Sequence, residues 1–195
     1  MRVFLAVPSE PMWVECARGL VDRLRSGLPK ASWTRPESWH LTLAFLGEVD
    51  ADFVARYRDM VGSLAVDTVP GEICAGPPTV FPLRGRPRVL GVGFNPSPAV
   101  EELGKLAREA SQAAAKLGAE LENRAFHPHV TFARIRNGWP DDALEQYRQE
   151  VSSAAFPPWR ARSCVLFESR LDPDGAVHTP IAEWTFQGGP RGVRA

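Results

Sequence analysis

Two short stretches of this chain carry residues suited to proton-transfer chemistry. One is Trp39-His40-Leu41-Thr42-Leu43-Ala44-Phe45 and the other Pro128-His129-Val130-Thr131-Phe132-Ala133-Arg134. Each is an apolar, strand-like run containing His-x-Thr, and successive side chains on a strand alternate between its faces. His40 and Thr42 therefore project together, as do His129 and Thr131. If the two runs face each other, two imidazoles and two hydroxyls converge. That set suits metal-free phosphodiester chemistry. One imidazole takes a proton from an attacking oxygen and the other gives one to the leaving oxygen, because imidazole titrates near neutrality, at about pH 6.5. The hydroxyls can hydrogen-bond the non-bridging phosphate oxygens as charge builds on them. Spacing alone leaves open which histidine is acid and which is base.

Competing chemistries have weaker support. His127 shares parity with His129, but no carboxylate or cysteine follows at ligand spacing, so a metal site is not expected. The cysteines Cys16, Cys74 and Cys164 are odd in number and lack a C-x-x-C pair, as buried free thiols in a reducing compartment would be. No G-x-S-x-G elbow and no phosphate-binding G-x-x-x-x-G-K-[ST] loop occurs.

Elements that could position the two runs are legible along the chain. Met1–Val7 reads as a buried strand and residues 11–28 as an amphipathic helix ended by Pro29. The first His-x-Thr strand spans residues 40–46, and Asp50 caps a helix with Phe53, Val54, Tyr57, Met60, Val61 and Leu64 inward. Residues 71–75 and 88–94 read as strands flanking a Pro- and Arg-rich connection. Ser97 caps the longest helix, which runs to Leu117. The second His-x-Thr strand spans residues 129–135, with a helix at 141–151. Strands at 160–171 and 176–186 join through the hairpin signal Asp172-Pro173-Asp174-Gly175. The expected fold is α+β: two pseudo-symmetric lobes of antiparallel sheet with outer helices, around a central cleft carrying the two His-x-Thr motifs. Residues 1–195 are expected to form one domain of two interleaved lobes.

The motifs and their order resemble the 2H phosphoesterase superfamily. Within it, His40-Leu41-Thr42-Leu43-Ala44-Phe45-Leu46-Gly47 and Phe126-His127-Pro128-His129-Val130-Thr131 are similar to the bacterial RNA 2′,3′-cyclic phosphodiesterases, formerly called 2′,5′ RNA ligases. The resemblance extends from residues 2–7 to residues 178–181. It implies that His40 is the proton donor, His129 the proton acceptor, and Thr42 and Thr131 the phosphate-binding hydroxyls. It also implies metal-independent opening of a terminal 2′,3′-cyclic phosphate to a 2′-phosphate, with no cofactor. Relatives often carry an arginine at Arg134, here expected to bind phosphate even though its parity in an ideal strand differs from that of His129. Phe45 also differs in parity from His40 and is expected in the core. Gly91 stands where relatives frequently place a bulky aromatic. His178 is expected beside the site or at the surface.

Two alternatives remain: 2′,5′ ligation at the same site, and an idle module that binds RNA or nucleotides. The 44% hydrophobic and 24% charged composition is that of a globular protein, and no run is long enough to span a membrane. The N-terminal apolar run is too short for a signal peptide, so a cytoplasmic monomer is expected, acting on an RNA 2′,3′-cyclic end or a cyclic nucleotide. Equal numbers of basic and acidic residues, 23 each, give no global field for long nucleic acid. Of the 23 basic residues 20 are arginines, among them the alternating Arg84, Arg86 and Arg88, which either steer RNA or guard a sheet edge.

Overall fold

The computed structural model describes residues 1–82, 85–120, 125–172 and 175–188. Two four-stranded antiparallel sheets dominate it. The first is built from β1 (Arg2–Pro8), β3 (His40–Glu48), β9 (Ser163–Asp172) and β10 (Gly175–Thr185), in the order β10-β9-β1-β3. The second is built from β2 (Ser32–Trp33), β5 (Ala75–Phe81), β6 (Val89–Phe94) and β7 (His129–Arg134), in the order β2-β7-β6-β5. The two His-x-Thr strands, β3 and β7, belong to different sheets and touch one another. A two-stranded ribbon pairs β4 (Gly71–Ile73) with β8 (Trp159–Ala161).

Four helices among the described residues pack outside the sheets. The helix α1 (Pro11–Gly27) starts with proline at its first turn, where a missing N–H costs nothing. In α2 (Ala51–Asp67) the Asp50 carboxylate accepts from Phe53 N at 2.8 Å, and in α3 (Pro98–Lys116) the Ser97 hydroxyl accepts from Val100 N at 3.2 Å. Both expected caps are present. The apolar stripes face inward, with Phe53, Val54, Tyr57 and Val61 of α2 buried and Met60 and Leu64 only partly so. The chain crosses between the two sheets. Although α3 follows β6 of the second sheet, it lies on β3 of the first and pairs with α2. Although α1 follows β1 of the first sheet, it packs along α4 (Asp141–Ser153), which covers β5 of the second. No helix among the described residues is long and apolar enough to cross a membrane.

Three strand readings need correction. The Pro- and Arg-rich connection is in its first half a strand, because β5 pairs with β6 in spite of Pro77 and Pro78. At a sheet edge a proline's missing N–H costs no ladder bond, and the register slips between Ala75 and Pro78 to accommodate the pair. The strand read across residues 71–75 breaks at Cys74, whose carbonyl accepts from Asn95 N. The strand read across 160–171 breaks at Arg162, and its first part joins the small ribbon instead. The hairpin forms with Asp172 opposite Gly175. Pro173 and Asp174 of its turn lie outside the described residues.

Candidate active site

Both His-x-Thr strands carry the same irregularity at the same place. In β3, Leu5 pairs with Ala44 but Ala6 pairs with Thr42, so Leu43 is an extra residue on the bulged side. In β7, Leu90 pairs with Ala133 but Gly91 pairs with Thr131, so Phe132 is extra. Each motif thus contains a β-bulge directly after its threonine, and a bulge inverts the alternation beyond it. Burial follows the inversion. His40 and Thr42 are half-buried, Leu43 and Ala44 both buried, and Phe45 is 62% exposed. His129 and Thr131 are half-buried, Phe132 and Ala133 both buried, and Arg134 is exposed.

This geometry decides two residues. Arg134 shares the face of His129 and Thr131, as its expected role requires. Phe45 does not belong to the core. It occupies in the first lobe the place that Arg134 occupies in the second, and its ring lies 6.1 Å from Phe4, which itself stacks on His40 at 4.7 Å. The simple parity rule failed at Phe45 because it assumed an unbroken strand. The apolar doublets Leu43-Ala44 and Phe132-Ala133 are the sequence signal of the break.

Each catalytic candidate is anchored in the same way. His40 Nδ1 lies 2.8 Å from the carbonyl of Ser38, and His129 Nδ1 lies 2.7 Å from the carbonyl of His127. A carbonyl can only accept, so Nδ1 of each ring carries a proton and Nε2 is left for chemistry. Aromatic rings fix the imidazoles further. Phe4 stacks on His40, while Phe81 meets His129 edge-on at 5.1 Å and His127 at 5.8 Å. Sequence reading missed Phe4 and Phe81, since a single phenylalanine on an apolar strand reads as core.

The electrostatics are those of two half-buried imidazoles near a fixed cation. Burial is the main cause that pushes His40 down, to about 4, with the neighbouring charges of His178, His129 and Arg134 adding to it and the Ser38 carbonyl opposing. Burial likewise lowers His129, aided by His127 and Arg134 and opposed by the carbonyl bond. Arg134 thus bears on both histidines, which ties the two strands into one site. Burial thus disfavours the charged form of both rings.

The remaining candidates divide. His178 of β10 lies against His40, with ring centroids 5.3 Å apart. Gly91 fits no aromatic, because a Cβ there would collide with the Val130 carbonyl oxygen at the bulge. Its own carbonyl accepts from the buried Tyr147 hydroxyl at 2.6 Å. Arg86 and Arg88 are both exposed, and Arg86 lies over Gly138. Arg84 lies outside the described residues. Two surface grooves, of about 310 and 580 Å³, run between β5 and α4 and beside the start of α2. Neither is lined by a histidine.

The duplicated geometry has a counterpart in family comparison. The family model described as LigT like Phosphoesterase matches residues 13–90 and matches again over residues 93–178, one match around each His-x-Thr strand. The chain belongs to the LigT-like phosphoesterase family. Among its relatives is a protein of Geobacillus stearothermophilus named RNA 2′,3′-cyclic phosphodiesterase, 28% identical over 97% of this chain. The chain spans only 58% of that relative's length. A protein of the same name from Archaeoglobus fulgidus is 29% identical, over 93% of this chain and 98% of its own length. Among solved structures, TT0787 of Thermus thermophilus superposes with a TM-score of 0.74 at 26% identity, covering 96% of this chain and 99% of that one.

Proposed function

We propose that this protein hydrolyses the 2′,3′-cyclic phosphate at an RNA end to a 2′-phosphate, by two-histidine acid–base catalysis in one domain of two interleaved lobes. One observation carries the reading: the two strands present the same bulged His-x-Thr geometry, with Nδ1 of each histidine occupied by a carbonyl and Nε2 left free. The names of the relatives support the choice of substrate.

In this mechanism His129 Nε2 takes a proton from water as the water oxygen attacks phosphorus. The P–O3′ bond breaks, and His40 Nε2 gives its proton to the departing O3′. The ring opens to a 2′-phosphate, and the proton left on His129 returns to solvent or to His40 for the next cycle. Thr42, Thr131 and Arg134 hold the non-bridging oxygens, where negative charge grows. The substrate phosphate also raises the proton affinity of His40, which burial otherwise depresses, so the acid is charged only when there is something to protonate. Phe45, exposed at the cleft edge, offers a ring on which a base can stack. No step needs a metal ion or a nucleotide cofactor. Of the three cysteines, expected as buried thiols, only Cys164 is buried, while Cys16 is partly buried and Cys74 exposed.

The test is incubation with an oligonucleotide ending in a 2′,3′-cyclic phosphate, in EDTA, with the product identified by phosphorus NMR. A 2′-phosphate is the expected product. A 3′-phosphate product, joined strands, or turnover that ceases in EDTA and returns with zinc would overturn the reading.

A further inference from the structure

His178 is the one histidine that this mechanism leaves unused in both ring and backbone. It sits on β10 opposite Ser169, in the same sheet as β3 but separated from it by β9 and β1. Its ring nevertheless reaches His40, perpendicular to it at 82° with centroids 5.3 Å apart. It also meets Phe4 edge-on at 4.9 Å and lies 6.3 Å from Phe167. Phe4 stacks at once on His40 and on Phe167, the latter at 5.3 Å. The four rings come from four adjacent strands, and His40 is the only one of them with a catalytic role assigned.

The Nδ1 atom of His178 is enclosed and has no hydrogen-bond partner. A charged imidazole would place an N–H at that atom with no acceptor, a cost well above that of leaving a neutral nitrogen unmet. The favoured state is therefore uncharged, with the proton on Nε2, and burial of the ring acts in the same direction. Edge-to-face packing of aromatic rings is directional, so a neutral ring here restrains both the position and the tilt of its neighbour.

We propose that His178 is a positioning residue: an uncharged ring from β10 that holds the imidazole of His40 edge-to-face, so that His40 Nε2 stays aimed at the oxygen it protonates. The inference rests on the functional reading above, since it presupposes that His40 is the acid. Three anchors then fix one catalytic ring: the Ser38 carbonyl at Nδ1, Phe4 stacked on it, and His178 across it. The groups whose charge bears on His40 are Arg134 from β7, which is always charged, and His129 from β7 and His178 from β10, which carry charge only when acid protonates them. A cation at position 178 would oppose charging of the acid, whereas a neutral ring does not.

The experiment compares His178→Ala and His178→Phe in the full-length protein, by turnover of a 2′,3′-cyclic-ended oligonucleotide and by NMR titration of the His40 ring without ligand. His178→Ala should lower kcat about tenfold and leave KM within about twofold, because a misaimed acid slows chemistry more than capture. His178→Phe keeps an aromatic ring and should stay within about threefold of the parent. In both variants the pH at which His40 half-titrates should rise, since the charge that His178 takes up in acid is gone. Full kcat in His178→Ala, equal losses in both variants, or an unmoved His40 titration would overturn the proposal. Equal losses would mean that the imidazole itself reacts. If His178→Ala does not fold, His178→Phe and its titration carry the test. Should the parent protein open no cyclic phosphate, the functional reading falls, and the His40 titration alone then decides whether His178 holds that ring.

Discussion

Burial of His40 makes the native state sensitive to acid in a calculable way. The ordinary histidine value is 6.5 and that of His40 in the folded chain is about 4. Above pH 6.5 neither folded nor unfolded chain protonates this ring, and its contribution to stability is fully present. As pH falls from 6.5 towards 4 the unfolded state binds a proton that the folded state refuses, so stability is lost. By pH 4 the loss from this one group amounts to about 3 kcal/mol, at 1.36 kcal/mol per pH unit of difference. His40→Gln removes the group and should flatten the pH dependence by that amount, whatever its effect at pH 7. The assay is urea denaturation of both proteins at pH 7 and pH 4, compared as a double difference so that other titrating groups cancel. Parallel loss of stability in the two proteins would refute the reasoning, because the His40 ring would then be solvated like that of an unfolded chain. A nucleotide 2′-phosphate should partly restore the acid stability of the parent protein, since its charge favours the protonated ring.

Three further outcomes follow from the same geometry. Thr42→Ala or Thr131→Ala should lower kcat about 10²-fold with KM changed only a few-fold, measured on a cyclic-ended oligonucleotide, because the hydroxyls matter most as charge builds. Phe45→Ala should leave the urea midpoint unmoved, since the ring is exposed, yet raise KM about tenfold; an unchanged KM would return Phe45 to the status of a bystander. Oligonucleotide affinity should fall gently with salt, with a slope corresponding to ~1–3 phosphates, and Arg134→Ala should lower that slope by about one.

Much of this site was legible in the sequence because strand parity and residue chemistry coincide at His40-x-Thr42 and His129-x-Thr131. Helix boundaries were also legible, since Asp50 and Ser97 are strong caps and Pro29 is a strong stop. What escaped depends on contacts between elements. Parity put Phe45 in the core and Arg134 out of phase, and both errors have one cause, a bulge whose trace is an apolar doublet. The strand around Pro77 and Pro78 was hidden by residues that disfavour strands everywhere except at an edge. The nearness of His178 to His40 has no local signal, because it arises from strand order in the sheet. The crossed packing of α1 and α3 is likewise a property of the assembled lobes.

The central claim is that two histidines, one on each bulged strand, act as a coupled acid and base on one phosphodiester. Its most direct test is the single-turnover rate of cyclic-phosphate opening by His40→Ala, His129→Ala and the double variant, under saturating enzyme and in EDTA. Acid and base act in one exchange, so each single variant should lose at least ~10²-fold and the double variant little more than either alone. A single variant that keeps near-parental rate, or losses that multiply in the double variant, would contradict it.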